Sequence, residues 1–270
     1  MIKFSNGNIH FRLFKNKSLG SDYIFELIHS KIDRNNLLSK STVLGLATGE
    51  SPKKIYEKLI TCHDKEGLSF RNVITFNLDE YYPINPESQN SYHHYMFENL
   101  FKHIDIDPEN IFIPNGMLEL DAIPDHCETF EHKIEEFGGI DLQLLGVGSN
   151  GHIGFNEPGS VINSKTRLVQ LDHRTRLDTA EKFGGLGNTP EYAITMGIKT
   201  ILKAKKIVCM AWGTSKAQAI SQLFNEGITD KWPVTFLKEH PQVELVLDEG
   251  AASLINPGFL KKKISLTNNK

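Results

Sequence analysis

The sequence predicts an α/β protein: a single-domain, doubly wound, mostly parallel sheet flanked by helices, spanning residues 1–270. Three observations carry that expectation. Five short, nearly continuous apolar runs recur along the chain, the pattern of strands covered on both faces. Segments with apolar residues at helical spacing lie between them. Four of the runs are followed closely by glycine or polar chemistry, where an open α/β sheet holds its ligands.

In chain order the strands are expected at TVLGLA (42–47), VITFNL (73–78), LQLLGVG (142–148), KIVCMAW (206–212) and VELVLD (243–248). The helices are expected at SPKKIYEKLI (51–60), SYHHYMFENLFKHI (91–104), CETFEHKIEEF (127–137) and SKAQAISQLFNEG (215–227), with Ser51, Ser91 and Ser215 as N-caps. Alternating strands and helices imply right-handed crossovers. No repeat, low-complexity tract or linker divides the chain. The closing KKKISLTNNK reads as a solvated tail with no assigned role.

Composition narrows the function classes. With 39% hydrophobic and 23% charged residues, 270 residues suffice to bury a sizeable core. A net charge of −3 and a pI near 6.4 give no electrostatic reason to expect nucleic acid or an anionic membrane as partner. Cys62, Cys127 and Cys209 are an odd number at wide spacing, which suggests neither a disulfide framework nor a thiolate metal site. The eleven histidines show no metal-ligand spacing, and no metal is expected. No run has the length of a signal peptide core or a bilayer span, so a cytoplasmic setting is expected.

Four strand-end loops, TGES (48–51), DEYY (79–82), SNGH (149–152) and GTSK (213–216), would converge on one crevice. Thr48-Gly49-Glu50-Ser51-Pro52 is a glycine turn into a helix whose free N–H groups suit a phosphate, although an ordinary capped turn accounts for it equally. It lacks the glycine-lysine-serine/threonine ending of a Walker loop. Lys216 would add a positive charge if the loops meet; otherwise it is a solvated helix lysine. Asp79 and Glu80 point to opposite faces, so one of them at most enters a shared cleft, as a general base or as a turn acid. Tyr81 and Tyr82 suit a site wall, and His93 and His94 read as packing or surface residues.

The stretch GVGSNGHIGFNEPG (146–159) opens like a dinucleotide fingerprint, with Gly146, Gly148 and Gly151 at GxGxxG spacing and Asp172 near the place of a ribose-binding acid. A helix must follow such glycines. Here Gly154, Pro158 and Gly159 interrupt any helical period, which disfavours a nicotinamide cofactor. The loop instead gathers Asn150, His152 and Glu157, a set suited to proton transfer, with a core histidine beside a structural turn as the plainer alternative.

LGLATGESP (44–52), ITFNLDEYYPI (74–84), SYHHYMFENLF (91–101), LLGVGSNGHIGFNEPGS (144–160), SKTRLV (164–169), AITMGIKTIL (193–202), GTSKAQAI (213–220) and LVLDEGAAS (245–253) together resemble the glucosamine-6-phosphate deaminase family over residues 40–255, in the same order. The resemblance implies a Rossmann-like sheet and isomerising deamination of glucosamine 6-phosphate to fructose 6-phosphate and ammonia, without a cofactor. By position it implies that Asp79 moves the proton between C2 and C1. His152 opens the sugar ring before that shift, Glu157 partners it and Asn150 orients it where many members carry aspartate. Thr48, Gly49, Ser51 and Lys216 would cradle the phosphate. Galactosamine 6-phosphate deamination and a non-catalytic sugar-phosphate sensor are the alternatives, and a homo-oligomer is left open because members range from monomers to hexamers. Three departures stand out. Glu50 replaces a small residue, and Glu181 falls where members supply a phosphate-binding arginine, for which Arg176 or Lys182 would substitute. Val169 replaces an effector-binding lysine, which speaks against allosteric activation although Arg167 remains.

Overall fold

The computed structural model describes residues 1–225 and 227–256; the KKKISLTNNK tail lies outside them. The strands are β1 (Ile2–Asn6), β2 (Ile9–Phe14), β3 (Thr42–Leu46), β4 (Val73–Asn77), β5 (Asp79–Tyr82), β6 (Ile111–Phe112), β7 (Leu142–Gly146), β8 (Arg167–Gln170), β9 (Tyr192–Thr195), β10 (Ile207–Ala211) and β11 (Val243–Asp248). The helices are α1 (Lys17–Leu37), α2 (Lys53–Glu66), α3 (Tyr92–Asn99), α4 (Ile123–Glu136), α5 (His173–Thr179), α6 (Ile198–Leu202) and α7 (Ala217–Asn225).

Eight strands form one sheet in the order β1-β2-β11-β10-β7-β3-β4-β6, parallel throughout except for the β1–β2 hairpin. The five expected strands are its centre, each within two residues of its predicted bounds. Every residue of β3, β4 and β10 is buried. Each Leu, Ile or Val so enclosed contributes about 1.5–3 kcal/mol, the reason continuous apolar runs end up in the middle. From β3 the chain winds outward through β4 to β6, then returns to β7 on the other side and proceeds to β10 and β11. The order therefore reverses between β3 and β7. An open sheet leaves its crevice at that point.

Besides the short β6, α5 and α6, two larger regions have no counterpart in the sequence reading, which assigns no element before residue 42. The hairpin β1–β2 turns at Gly7 (φ +59°), and β2 pairs in parallel with β11, Ile9 opposite Val243. The 21-residue α1 follows, capped by Asn16, whose side chain accepts from the Leu19 N–H at 3.1 Å. A second sheet, antiparallel β5-β9-β8, grows from the end of β4: Leu78 accepts from the Met196 N–H at 2.7 Å and Asp79 pairs with Thr195. Among the expected caps, Ser91 accepts from the His94 N–H at 2.9 Å. Ser51 and Ser215 do not cap. Pro52 holds the cap position of α2, and Ser215 lies within a 3₁₀ turn ahead of α7, because in both loops the chain spends its first residues on the glycine turn.

Candidate active site

A cavity of about 490 Å³ opens at the carboxyl ends of β3, β4, β7 and β10. Thr48, Gly49, Ser51, Asp79, His152 and Lys216 all line it, so the four strand-end loops meet as the sequence predicts. Asn150 and Glu157 stand behind His152.

The turn after β3 is fastened from outside by its carbonyl oxygens. Tyr56 Oη donates to Ala47 O (2.5 Å), Tyr95 Oη to Gly49 O (2.6 Å), Lys17 Nζ to Glu50 O (2.6 Å) and Trp212 Nε1 to Ser51 O (3.2 Å). In a planar trans peptide the N–H points opposite the carbonyl, so the N–H groups of Thr48, Glu50 and Ser51 face away from those donors. Gly49 takes φ +93°, which a side chain would resist. The turn ends at the N-terminus of α2, the positive end of its dipole. Glu50 belongs to the cavity lining; its side chain is 75% exposed and leans toward Lys53 at 3.9 Å, which offsets part of its charge.

Lysines supply the positive charge at this end. Lys216 is held by the loop after β10, where Asp248 accepts from the Gly213 N–H at 2.9 and 3.0 Å. Burial lowers the Lys216 pKa, and Asp178 opposes that shift. Lys17, at the first turn of α1, and Lys182 line the same cavity. Arg176 does not serve here: its guanidinium donates to Leu186 O and Thr189 O and pairs with Glu191 at 3.3 Å, holding the 173–189 segment together. Glu181 is exposed and outside the lining. Lys17 and Asp248 escape sequence reasoning because only the tertiary fold brings them to the loops.

Asp79 begins β5 and is buried, with Oδ2 beside Gly154: a Cβ there would lie 3.4 Å from it. Burial, with Glu80 adding to it, pushes the Asp79 carboxyl up to about 8. Glu80 points to the opposite side. It accepts from the N–H groups of Tyr81 (2.9 Å), Tyr92 (2.8 Å) and His93 (2.8 Å), securing the start of α3, and burial pushes it up to about 7 against those bonds. Tyr92 lines the cavity; Tyr81 and Tyr82 pack in clusters behind it. His93 stacks on Phe97 and, like His94, lies outside the cavity lining.

The loop from Gly146 to Gly159 forms no helix, which removes the dinucleotide reading. His152 folds back over Gly148, where a Cβ would meet the ring at 2.3–2.4 Å. Its Nδ1 lies 3.3 Å from Glu157 Oε2 and 3.3 Å from Thr175 Oγ1. Assigning the ring proton to Nδ1 leaves a lone pair on Nε2. Asn150 holds the carboxylate: Nδ2 donates to Glu157 Oε2 at 2.8 Å, while Oδ1 accepts from the His152 N–H at 3.2 Å. It thus orients the imidazole through the backbone and Glu157 instead of touching the ring. Burial raises the Glu157 pKa, but His152, Thr175 and Asn150 outweigh it and hold the carboxyl below its ordinary value.

Fold and cavity together define an α/β protein that presents an acid, a carboxylate-held imidazole and a lysine-rimmed turn to one crevice. The chain belongs to the glucosamine-6-phosphate isomerases/6-phosphogluconolactonase family, whose model matches residues 20–246. The glucosamine-6-phosphate deaminase of Thermoanaerobacter pseudethanolicus is 47% identical over 222 residues, 82% of this chain and 87% of that one. That of Bacillus velezensis is 48% identical over 211 residues, covering 78% and 86%. A solved monomeric glucosamine-6-phosphate deaminase superposes with a TM-score of 0.85 at 40% identity, covering 90% of this chain and 99% of that one. The 6-phosphogluconolactonase of Thermotoga maritima, at 18% identity and TM-score 0.70 over 88% and 98%, shares the fold. No helix among the described residues is long and apolar enough to cross a membrane.

Proposed function

We propose that the protein converts glucosamine 6-phosphate and water to fructose 6-phosphate and ammonia, a net hydrolysis of the C2–N bond. The observation that carries this reading is the joint presence of Asp79, His152 and the turn Thr48–Ser51 around one cavity of hexose-phosphate size. The phosphate docks on the N–H groups of the turn, with Lys216, Lys17 and Lys182 offsetting its charge. His152 Nε2, its ring fixed by Glu157, passes the proton from O1 to O5 as the pyranose opens. Asp79 takes the C2 proton and returns it to C1, giving the C2 imine by way of an enolamine. One carboxylate beside two adjacent carbons suffices for that shift. Water then adds at C2 and ammonia leaves. The three cysteines are free and buried, as suits a reducing cytoplasm.

The test is ammonia release and fructose 6-phosphate formation from glucosamine 6-phosphate, with galactosamine 6-phosphate as comparison, for wild type and Asp79→Asn. Wild-type turnover of the gluco sugar that Asp79→Asn abolishes supports the reading. Preference for the galacto epimer, binding without ammonia, or turnover unaffected by Asp79→Asn overturns it.

A further inference from the structure

The histidine spacing shows no metal site because His29 lies on a different helix from Cys62 and Glu66. His29 of α1 and Cys62 and Glu66 of α2 bring an imidazole nitrogen, a thiol sulfur and a carboxylate oxygen within 4.8 Å of one another. We propose that these three side chains bind a transition-metal dication of the zinc class and clip α1 to α2.

The geometry carries the argument. A tetrahedral ion with bonds of about 2.3 Å to sulfur and 2.0 Å to oxygen sets those two donors about 3.5 Å apart. Cys62 Sγ and Glu66 Oε2 are 3.5 Å apart, joined now by the thiol proton that a metal would displace to solvent. They share one face of α2 at i,i+4. His29 is half-buried with its ring stacked on Phe25 at 5.5 Å, while Glu66 is exposed, so both can settle onto an ion that buried Cys62 alone could not reach. The surroundings are anionic: Glu26 and Asp33 act on the Cys62 thiol along with Glu66. The cluster also lies in the last turn of α2, the negative end of the helix dipole. The donor set of one sulfur, one nitrogen and one oxygen suits zinc or cobalt and disfavours magnesium or calcium, which take oxygen ligands. A water completes the shell.

Cobalt(II) reports on this site without reference to turnover. Titrating the metal-free chain with Co²⁺ should produce, at one equivalent, tetrahedral ligand-field bands and a sulfur-to-cobalt charge-transfer band that Zn²⁺ abolishes. Cys62→Ser should remove the charge-transfer band, and His29→Gln and Glu66→Gln should each weaken Zn²⁺ at least about tenfold in competition. Zn²⁺ should raise the melting temperature of wild type and not of His29→Gln. If Cys62→Ser fails to fold, the half-buried His29 and exposed Glu66 variants decide the matter. No charge-transfer band in wild type, or Zn²⁺ affinity unchanged in both His29→Gln and Glu66→Gln, overturns the proposal. The cluster lies on α2 about 15 Å along the axis from the cavity turn, so loss of deaminase activity has no bearing on it.

Discussion

The turn after β3 and the loop after β7 begin alike, with a buried strand running into glycine, and end as different devices. The first passes directly into α2, and its carbonyls are tied by four side chains from outside, which leaves N–H groups to offer an anion. The second runs twenty residues from the end of β7 to β8 without a helix and turns Asn150 and Glu157 on one imidazole. Glycine at a strand end therefore says that the backbone must turn tightly or be approached closely, and the residues beyond it decide the chemistry. Gly49 and Gly148 show the two uses. A Cβ on Gly49 meets nothing within 4 Å, so that glycine serves its φ; a Cβ on Gly148 would strike the His152 ring, so that one serves its neighbour.

Asp79 stands between the two loops, and its replacement should have the largest effect. Asp79→Asn is expected to lower kcat for ammonia release by about 10²–10⁴-fold. The same change should stabilise the fold. The native carboxyl titrates near 8 instead of 3.8, so the native state keeps a proton that the unfolded chain releases, and wild-type stability falls as pH rises from about 4 to 8. Asp79→Asn lacks that share of the decline and keeps the smaller one from Glu80, whose carboxyl is pushed up to about 7. Melting curves at pH 5 and pH 8 should show its advantage growing with pH, by on the order of a few kcal/mol. The wild-type kcat/KM should fall on the acid side of about 8 as Asp79 takes up its proton.

Gly148→Ala comes next and tests the second loop. Driving the ring from its seat should cost roughly 10²-fold in kcat/KM with the fold intact, as a misplaced catalytic group does. Gly49→Ala should instead cost about 1–2 kcal/mol of stability from its left-handed φ and act mainly on KM. If the two variants behave alike, the contrast between the loops is wrong. Lys17→Ala should raise KM roughly tenfold with kcat within about twofold, because the Glu50 carbonyl loses the tie that aims the Ser51 N–H at the phosphate, a contact shared by ground and transition state. Steady-state kinetics with inorganic phosphate as competitor checks this. The smallest effect belongs to Glu50→Ala, whose side chain faces solvent: stability within about 0.5 kcal/mol and KM unchanged.

The strands were legible because parallel strands buried on both faces leave continuous apolar runs, and the loops because polar residues at their ends have nowhere else to go. The β5-β9-β8 sheet was not. DEYY follows β4 after one residue and opens with two acids that read as the end of a strand, and its partners RLVQ and YAIT are too short to show a period. The β1–β2 hairpin carried a readable signal in Gly7-Asn8 between alternating residues, and only the long α1 beyond it lacked one, since buried Ser21 and Asn35 blur its apolar stripe. In the site, Asp79, His152 and Glu157 could be named from local chemistry. That Asn150 grips Glu157, that Glu80 secures α3 and that Lys17 reaches the turn depends on distances no spacing encodes.

The parallel pairing of β2 with β11 joins residues 234 positions apart, Ile9 with Val243. During synthesis the amino-terminal hairpin and α1 leave the ribosome long before their partner strand exists. Closing so large a loop is slow, and the waiting edge, rich in Phe and Ile, can pair with a foreign strand. Chaperone dependence and aggregation in the nascent chain should therefore concentrate in the first forty residues, of which Lys17 alone lines the cavity.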